Sequence, residues 1–268
     1  MTDAEILQTG TKNKTVLNFS HLNRSRSFRE KQGAFAMEGF RLVLDAMQSG
    51  ADVQALLLTE KAQAQYGDAL REASASARVL LISDALAKEI ADTETAQGVF
   101  AIARMLPDSA DLPQKGSRSM LLHCVQDPAN LGAVLRTAEA LGTDGIYLYQ
   151  CCDIYNPKTL RSSMGAWARI PLRRIRETET FFSHCAANGI CTCAAVVDRG
   201  AEKLGSFPMP ESCCVLIGNE GNGLPRAVSD ACDVRLTIPM SPASNSLNAA
   251  MAAGLFLWEM AKAGDTYA

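Results

Sequence analysis

Ile238-Pro239-Met240-Ser241-Pro242-Ala243-Ser244-Asn245-Ser246-Leu247-Asn248 is a stretch in which an apolar strand stops, a polar loop runs on, and a helix begins. The helix opens with small residues, Ala249, Ala250, Ala252, Ala253 and Gly254, which suit tight packing against backbone. The plain reading is a loop and a capped helix, with Asn245 or Ser246 as the cap. The richer reading comes from two stretches upstream that repeat the pattern of a strand end followed by unusual residues.

The first of these is Gly218-Asn219-Glu220-Gly221-Asn222-Gly223-Leu224-Pro225, directly after an apolar run at 213–217. Its glycines permit close backbone approach to a ligand. The spacing is not that of a dinucleotide fingerprint, and no Gly-Lys-Ser/Thr phosphate loop is present. A flexible turn is the alternative, and Glu220 in its middle favours function. The second is Asp127-Pro128-Ala129-Asn130-Leu131-Gly132, leading to Arg136-Thr137-Ala138. Nearly two helical turns separate Asn130 from Arg136, so both are able to face the strand end. The alternative is an N-cap at Asn130 and a surface arginine.

Around these stretches lie short apolar runs at 120–125, 145–149, 191–197, 213–217 and 234–238, several without alternation, as in parallel sheets covered on both faces. Helical patterns fill the gaps at 131–141, 178–188 and 246–263. This predicts an α/β open sheet whose ligands sit at the carboxyl ends of the strands. The first half alternates differently: a helix at 35–47, a strand at 54–59, a helix at 62–74, a strand at 79–82, a helix at 85–90 and a strand at 98–104. That is a small α/β domain. Residues 106–118, with Pro107, Pro113 and Gly116, read as a linker. The expected division is a domain at 1–112 and a second at 118–268.

The totals narrow the class. With 47% hydrophobic residues the 268-residue chain has material for a real core, and a net charge of −3 argues against nonspecific coating of nucleic acid. No apolar run reaches the roughly 18 residues of a membrane helix. Met1-Thr2-Asp3-Ala4-Glu5 lacks the basic start of a signal peptide, so a cytoplasmic protein is expected. The nine cysteines, an odd number with adjacent pairs at Cys151-Cys152 and Cys213-Cys214, suit buried small hydrophobes better than a disulfide framework or a zinc site. Basic residues cluster locally: Lys12, Lys14, Arg24, Arg26, Arg29 and Lys31 near the start, and Lys158, Arg161, Arg169, Arg173, Arg174 and Arg176 in an acid-free run at 154–176. Such runs are usually solvated faces. His21, His123 and His184 read as structural.

In order and spacing the three stretches resemble the motifs of the SpoU (TrmH-like) RNA 2′-O-methyltransferases. Asn130 and Arg136 match the first motif. Gly218, Glu220 and Gly221 match the second. Ile238, Pro239, Met240, Ser246, Leu247 and Asn248 match the third. Asn156-Pro157-Lys158 and Arg161-Ser162-Ser163-Met164-Gly165-Ala166 resemble the family's intervening segment. The first domain is similar, through Arg24, Arg26, Phe35 and Glu38-Gly39, to a substrate-binding domain related to a ribosomal-protein (L30e-like) fold. One departure is Pro242-Ala243, where the family usually carries a glycine beside the Ser-Leu-Asn loop.

The resemblance implies a deep trefoil knot in the parallel-sheet α/β domain, and a homodimer whose catalytic domains contribute to each other's sites. It implies S-adenosylmethionine held by Gly218, Asn219, Gly221, Ile238, Met240 and Leu247. It implies a catalytic set of Asn130, Arg136, Glu220, Ser246 and Asn248. The substrate is RNA, ribosomal before transfer, contacted through Arg24, Arg26, Lys158, Arg161, Arg173 and Arg174. No metal is called for. An arginine stays protonated in the working pH range, so Arg136 is expected to orient the acceptor and stabilise charge, with the general base left open. Two rival functions remain: a nucleotide-binding oxidoreductase, and an RNA-binding protein of the same fold that lost catalysis.

Overall fold

The computed structural model describes residues 7–8, 10, 12–73, 76–108, 111–241 and 244–263. Two compact units emerge. One comprises residues 1–107 with Tyr155–Ala168, and the other residues 108–154 with Arg169–Ala268.

In the first unit the strands are β1 (Leu7–Gln8), β2 (Ala34–Glu38), β3 (Val53–Thr59), β4 (Arg78–Ile82) and β5 (Val99–Arg104). The helices are α1 (Lys14–Arg24), α2 (Arg26–Gln32), α3 (Phe40–Gln48), α4 (Glu60–Ala73) and α5 (Asp84–Ile90). The sheet order is β1-β4-β3-β5-β2, with β5 antiparallel to both neighbours. The expected helix at 35–47 is thus two elements. Phe35 to Glu38 pair with β5, and the helix begins only after Gly39, whose φ of 103° bars the chain from continuing as either. All five residues of β2 are buried, so the apolar run that looked like a helix face is a strand covered on both sides. Phe19, Leu22, Leu57, Leu80, Phe100 and Ile102 form the core on one face of this sheet. The expected helix end at Ser74 lies outside the described residues.

The segment 155–168, which carries α7 (Pro157–Ser163) and α8 (Ala166–Arg169), packs mostly with the first unit. Tyr155 and Trp167 meet Phe35 with ring centroids 4.5 and 5.0 Å away, and the Tyr155 hydroxyl accepts the N–H of Leu106 at 2.7 Å. Those three rings are buried. Sequence order alone assigns this segment to the second half; its aromatic contacts place it with the first.

The second unit holds α6 (Pro128–Ala140), α9 (Thr178–Ala187), α10 (Arg226–Asp230) and α11 (Ala249–Lys262) around a sheet of seven strands. These are β6 (Arg118–His123), β7 (Gly145–Tyr149), β8 (Leu172–Ile175), β9 (Cys191–Ala195), β10 (Glu202–Lys203), β11 (Cys213–Ile217) and β12 (Val234–Thr237). Their order is β10-β12-β9-β11-β6-β7-β8, and every pairing is parallel. Central strands β6 and β11 are almost wholly buried, which explains their apolar runs without alternation. From β6 the chain moves outward through β7 and β8, then crosses to β9 on the other side. β11 fills the place between them, so the direction of winding reverses around β6 and β11. Such a reversal opens a crevice at the carboxyl ends of the strands.

Candidate functional site

Four strand ends meet there. β6 runs into the Asp127 turn, β9 into Val196-Val197-Asp198, β11 into the glycine loop and β12 into the Ile238 loop. The ends of β9, β11 and β12 enclose a cavity of about 770 Å³ whose lining includes Gly218, Asn219, Glu220, Gly221, Ile238, Met240, Ser246 and Leu247. That volume suits a ligand of drug or cofactor size. Ile217, Ile238, Leu247 and Phe256 supply apolar surface for a flat heterocycle, while Asp198 on the same lining is ion-paired with Arg235 at 2.6 Å.

The glycine loop is a tight hairpin, with Asn219 and Gly223 exchanging backbone hydrogen bonds of 3.1 and 2.9 Å. Gly223 has φ of 65°. The Asn219 side chain accepts the N–H groups of Gly221 and Asn222 at 3.0 and 3.1 Å, an Asx turn that closes the loop on itself. Gly218 is small for a reason the sequence did not reveal. A Cβ there would lie 2.1 Å from the carbonyl carbon of Gly223 and 2.2 Å from the nitrogen of Leu224, so the loop's own return strand excludes it.

Helix α6 starts two residues before Asn130. Its N-cap is Asp127, which accepts the N–H of Ala129 at 2.7 Å, and Pro128 fills the first helical position. Asn130 is therefore no cap, and its side chain is used elsewhere. Helix α11 is capped by Asn248 rather than by Asn245 or Ser246: its Oδ1 accepts from Ala250 at 2.9 Å and Met251 at 3.2 Å. Pro242-Ala243 lie outside the described residues.

These pieces join in one hydrogen-bonded chain. The Glu220 carboxylate accepts the backbone N–H groups of Gln126 at 3.1 Å and Asp127 at 3.0 Å, and the Asn130 amide at 3.1 Å. Asn219 adds a longer contact of 3.3 Å. Asn130 Oδ1 in turn accepts from Asn248 Nδ2 at 2.9 Å. Burial opposes ionisation of Glu220, but the donated N–H groups outweigh it and hold the carboxyl below the usual glutamate range. Ionised and with donors on both oxygens, Glu220 is a fixed anchor. Nearby, Cys124 and Gln150 end β6 and β7 with φ of 57° and 50°, a conformation that costs non-glycine residues energy and gathers at functional sites. Asn219 Nδ2 donates to the Cys124 carbonyl at 2.9 Å, tying the glycine loop to that turn.

The structure thus brings together the three sequence stretches, with one exception. Asn130 and Asn248 lie outside the cavity lining but are joined to it through Glu220; Arg136 is exposed on α6, lies outside the lining, and has no ion-pair partner among the described residues. Ser246 and Leu247 are exposed on the cavity wall. Ala195, Val196, Val197 and Asp198 also line the cavity and were not singled out from sequence. Their position after an apolar strand is the signal that points to them. The basic residues are dispersed. Arg24 and Arg26 flank the α1–α2 junction, and Arg26 pairs with Glu30 at 2.8 Å. Lys158 and Arg161 belong to the first unit, Arg173 and Arg174 to the second. Arg161 pairs with Asp92 at 2.8 Å, Arg174 with Asp108 at 2.9 Å, and Arg169 with Glu139. The run at 154–176 is acid-free in sequence and partly neutralised in space.

All nine cysteines are free thiols. Burial pushes Cys151, Cys185 and Cys213 up to about 12, as expected of packing residues. Among the described residues no group of three or more His, Cys, Asp or Glu is placed to hold a metal ion, and no helix is long and apolar enough to cross a membrane.

Comparison with known proteins adds to this geometry. Residues 117–258 match the model of the SpoU rRNA Methylase family, and residues 13–101 match the MRM3-like substrate binding domain. A 23S rRNA (guanosine(2553)-2′-O)-methyltransferase, RlmP, of Bacillus subtilis (strain 168) is 29% identical over 93% of this chain and 96% of its own. A 23S rRNA (uridine(2479)-2′-O)-methyltransferase of Streptomyces viridochromogenes is 27% identical over 93% and 90% respectively. Among solved structures, an AdoMet-bound rRNA methyltransferase from Sinorhizobium meliloti superposes with a TM-score of 0.83 at 27% identity, covering 95% of this chain and 96% of that one.

Proposed function

The chain belongs to the SpoU rRNA methylase family, and from that premise we propose which of its residues carry the methylation of a ribose 2′-hydroxyl in ribosomal RNA. The cofactor is S-adenosylmethionine. The cavity fits it: apolar residues Ile238, Leu247 and Phe256 suit the adenine, and the loop at Gly218, Asn219 and Gly221 offers backbone to its polar edge. Met240 completes the same wall. When bound, the cofactor supplies an electrophilic methyl group.

The observation that carries the assignment of roles is the continuous chain Glu220–Asn130–Asn248, which ties the three motifs to one another. Glu220 positions Asn130 and is not the proton acceptor, because its oxygens are occupied and its carboxylate is stabilised as the anion. Asn248 fixes the start of α11 and, through it, the wall bearing Ser246 and Leu247. The Ser246 hydroxyl is exposed on that wall and is free of these structural duties, so it is placed to meet the acceptor ribose. The Arg136 guanidinium compensates the charge that develops as the 2′-oxygen loses its proton.

A homodimer accounts for two features at once. Met251, Leu255 and Trp258 form an exposed apolar stripe on α11, at 64%, 41% and 49% exposure, and such stripes mark interfaces. A site shared between two copies also explains why Arg136 stands outside the cavity of its own chain. The knot implied by the resemblance is assigned to the segment that follows β11 and leads into α11. Arg24, Arg26, Lys158, Arg173 and Arg174 are assigned to phosphate contact, since exposed ion pairs are weak enough to be exchanged for phosphates. Free thiols throughout suit a cytoplasmic location.

Single-turnover methylation of a ribosomal RNA fragment by Arg136→Ala tests the central role. Loss of a charge-stabilising group should cost about 10²–10³ in rate. The melting temperature should hardly move, because replacing a surface arginine changes stability by about 0.5 kcal/mol or less. Normal melting with a near wild-type rate would refute the assignment. A 2′-deoxy acceptor should give no product.

A further inference from the structure

A second cavity, of about 630 Å³, lies within the first unit. It is held open by two tie points. Buried Glu38, at the end of β2, accepts the N–H of Asp92 at 2.7 Å and the hydroxyl of Thr93. Gln97 accepts the N–H of Phe40 at 2.9 Å, standing in for a cap that Gly39 does not have on α3. The loop from Asp92 to Gln97 is thereby pinned at both ends, facing the first turns of α3 across the cavity.

Helix α7 supplies the third wall, through Arg161 and Met164. Arg161 Nη2 pairs with Asp92 at 2.8 Å, while its Nη1 is buried without a hydrogen-bond partner. The Arg161 side chain as a whole is about one-third exposed and lines the cavity, so its guanidinium is available to a ligand there. The rest of the lining mixes the carboxylates of Asp45 and Glu94 with a second guanidinium, Arg41, and has Leu42 and Met164 as apolar surface. With carboxylates and guanidinium groups on one lining, the cavity suits a ligand carrying both donors and acceptors better than a bare anion. A neutral planar ligand with acceptors on one edge and donors on another satisfies both sides.

We propose that this cavity takes a single unstacked base of the RNA substrate, and that it prefers guanine. The O6 and N7 acceptors of guanine meet Arg161, and its N1–H and N2–H donors meet a carboxylate. Adenine would turn an amino group toward the arginine, and a pyrimidine lacks the second ring that spans from donor wall to acceptor wall. RNA enzymes read unpaired bases in this manner, by edge hydrogen bonds and stacking. The proposal rests on the RNA-methylation reading and adds a sequence-reading function to the first unit.

The test is binding of fluorescent pentanucleotides to the full-length protein, with S-adenosylmethionine affinity measured alongside as a check on folding. The oligonucleotide UUGUU should bind about tenfold tighter than UUAUU or UUUUU. Replacing guanine by inosine, which lacks the N2 amine, should remove part of that preference. Arg161→Gln and, independently, the exposed-site variant Glu94→Gln should each bring the ratio of UUGUU to UUUUU affinities toward one. Equal binding of all pentanucleotides, or a preference unchanged in both variants, would overturn the pocket while leaving the methylation reading intact. Absence of binding to any of them would overturn both the pocket and RNA contact by this unit. GMP binding as tightly as UUGUU would assign the pocket to free nucleotide and overturn its assignment to RNA.

Discussion

Asn248 serves two masters with the two ends of one amide. Its Oδ1 caps α11, and its Nδ2 donates to Asn130. The two duties can be separated. Asn248→Asp keeps the cap acceptor but replaces the donor with an oxygen facing Asn130 Oδ1. Asn248→Ala loses both. Loss of the cap costs about 1 kcal/mol, so Asn248→Ala should melt measurably lower, whereas Asn248→Asp should retain most of the stability. Both should methylate slowly if the tie to Asn130 matters. A fully active Asn248→Asp protein would show that the chain from Glu220 to Asn248 is structural furniture and no more. At this scale the sequence was informative about which residues matter and less so about why. The smallness of Gly218 reads equally well as room for a ligand or for the chain itself, and only the 2.1 Å approach of Gly223 decides that backbone is the constraint. Substituting Gly218 therefore tests folding of the loop before it tests cofactor binding.

At the scale of elements, the seven-stranded sheet was legible because buried parallel strands leave short, unalternating apolar runs, and 145–149 and 213–217 were read to the residue. Strand β2 was not, because a four-residue apolar run next to a helix has no periodicity of its own. Strand β8 was missed because its Arg173 and Arg174 disguise it as a charge cluster. Helix α11 was read from its small residues, and their use is visible: Ala249 and Ala253 are buried, and a Cβ on Gly254 would come within 3.8 Å of Thr137 on α6. The opposite side of the same helix carries Met251, Leu255 and Trp258, spaced so that they share one face. Met251→Glu combined with Leu255→Glu should shift the sedimentation coefficient from that of a dimer to that of a monomer. Circular dichroism should be retained, because both side chains are already exposed. Methylation should fall with the dimer. A double variant that still sediments as a dimer would place the interface elsewhere.

At the scale of the whole molecule, the boundary expected near residue 112 is crossed again by the chain. The segment Tyr155–Ala168 leaves the second unit after β7, packs with the first, and returns for β8. A fragment ending at 112 keeps Phe35 and the pinned loop but loses Tyr155, Trp167 and Arg161. Removing large buried aromatic partners from a core costs about 3–5 kcal/mol apiece, comparable with the whole stability of a small domain. The fragment should therefore unfold at markedly lower urea than the full chain does, and residues 155–168 added back through a flexible linker should recover the loss. A fragment as stable as the parent would mean the aromatic contacts contribute little. The same topology bears on inheritance. A recombination event that exchanged the leading half of this gene for a relative's would deliver a receptor for those aromatic side chains without the side chains fitted to it. Lineages in this family should then swap their substrate-binding portions rarely, and when they do, a short stretch from the middle of the methylase should travel with them.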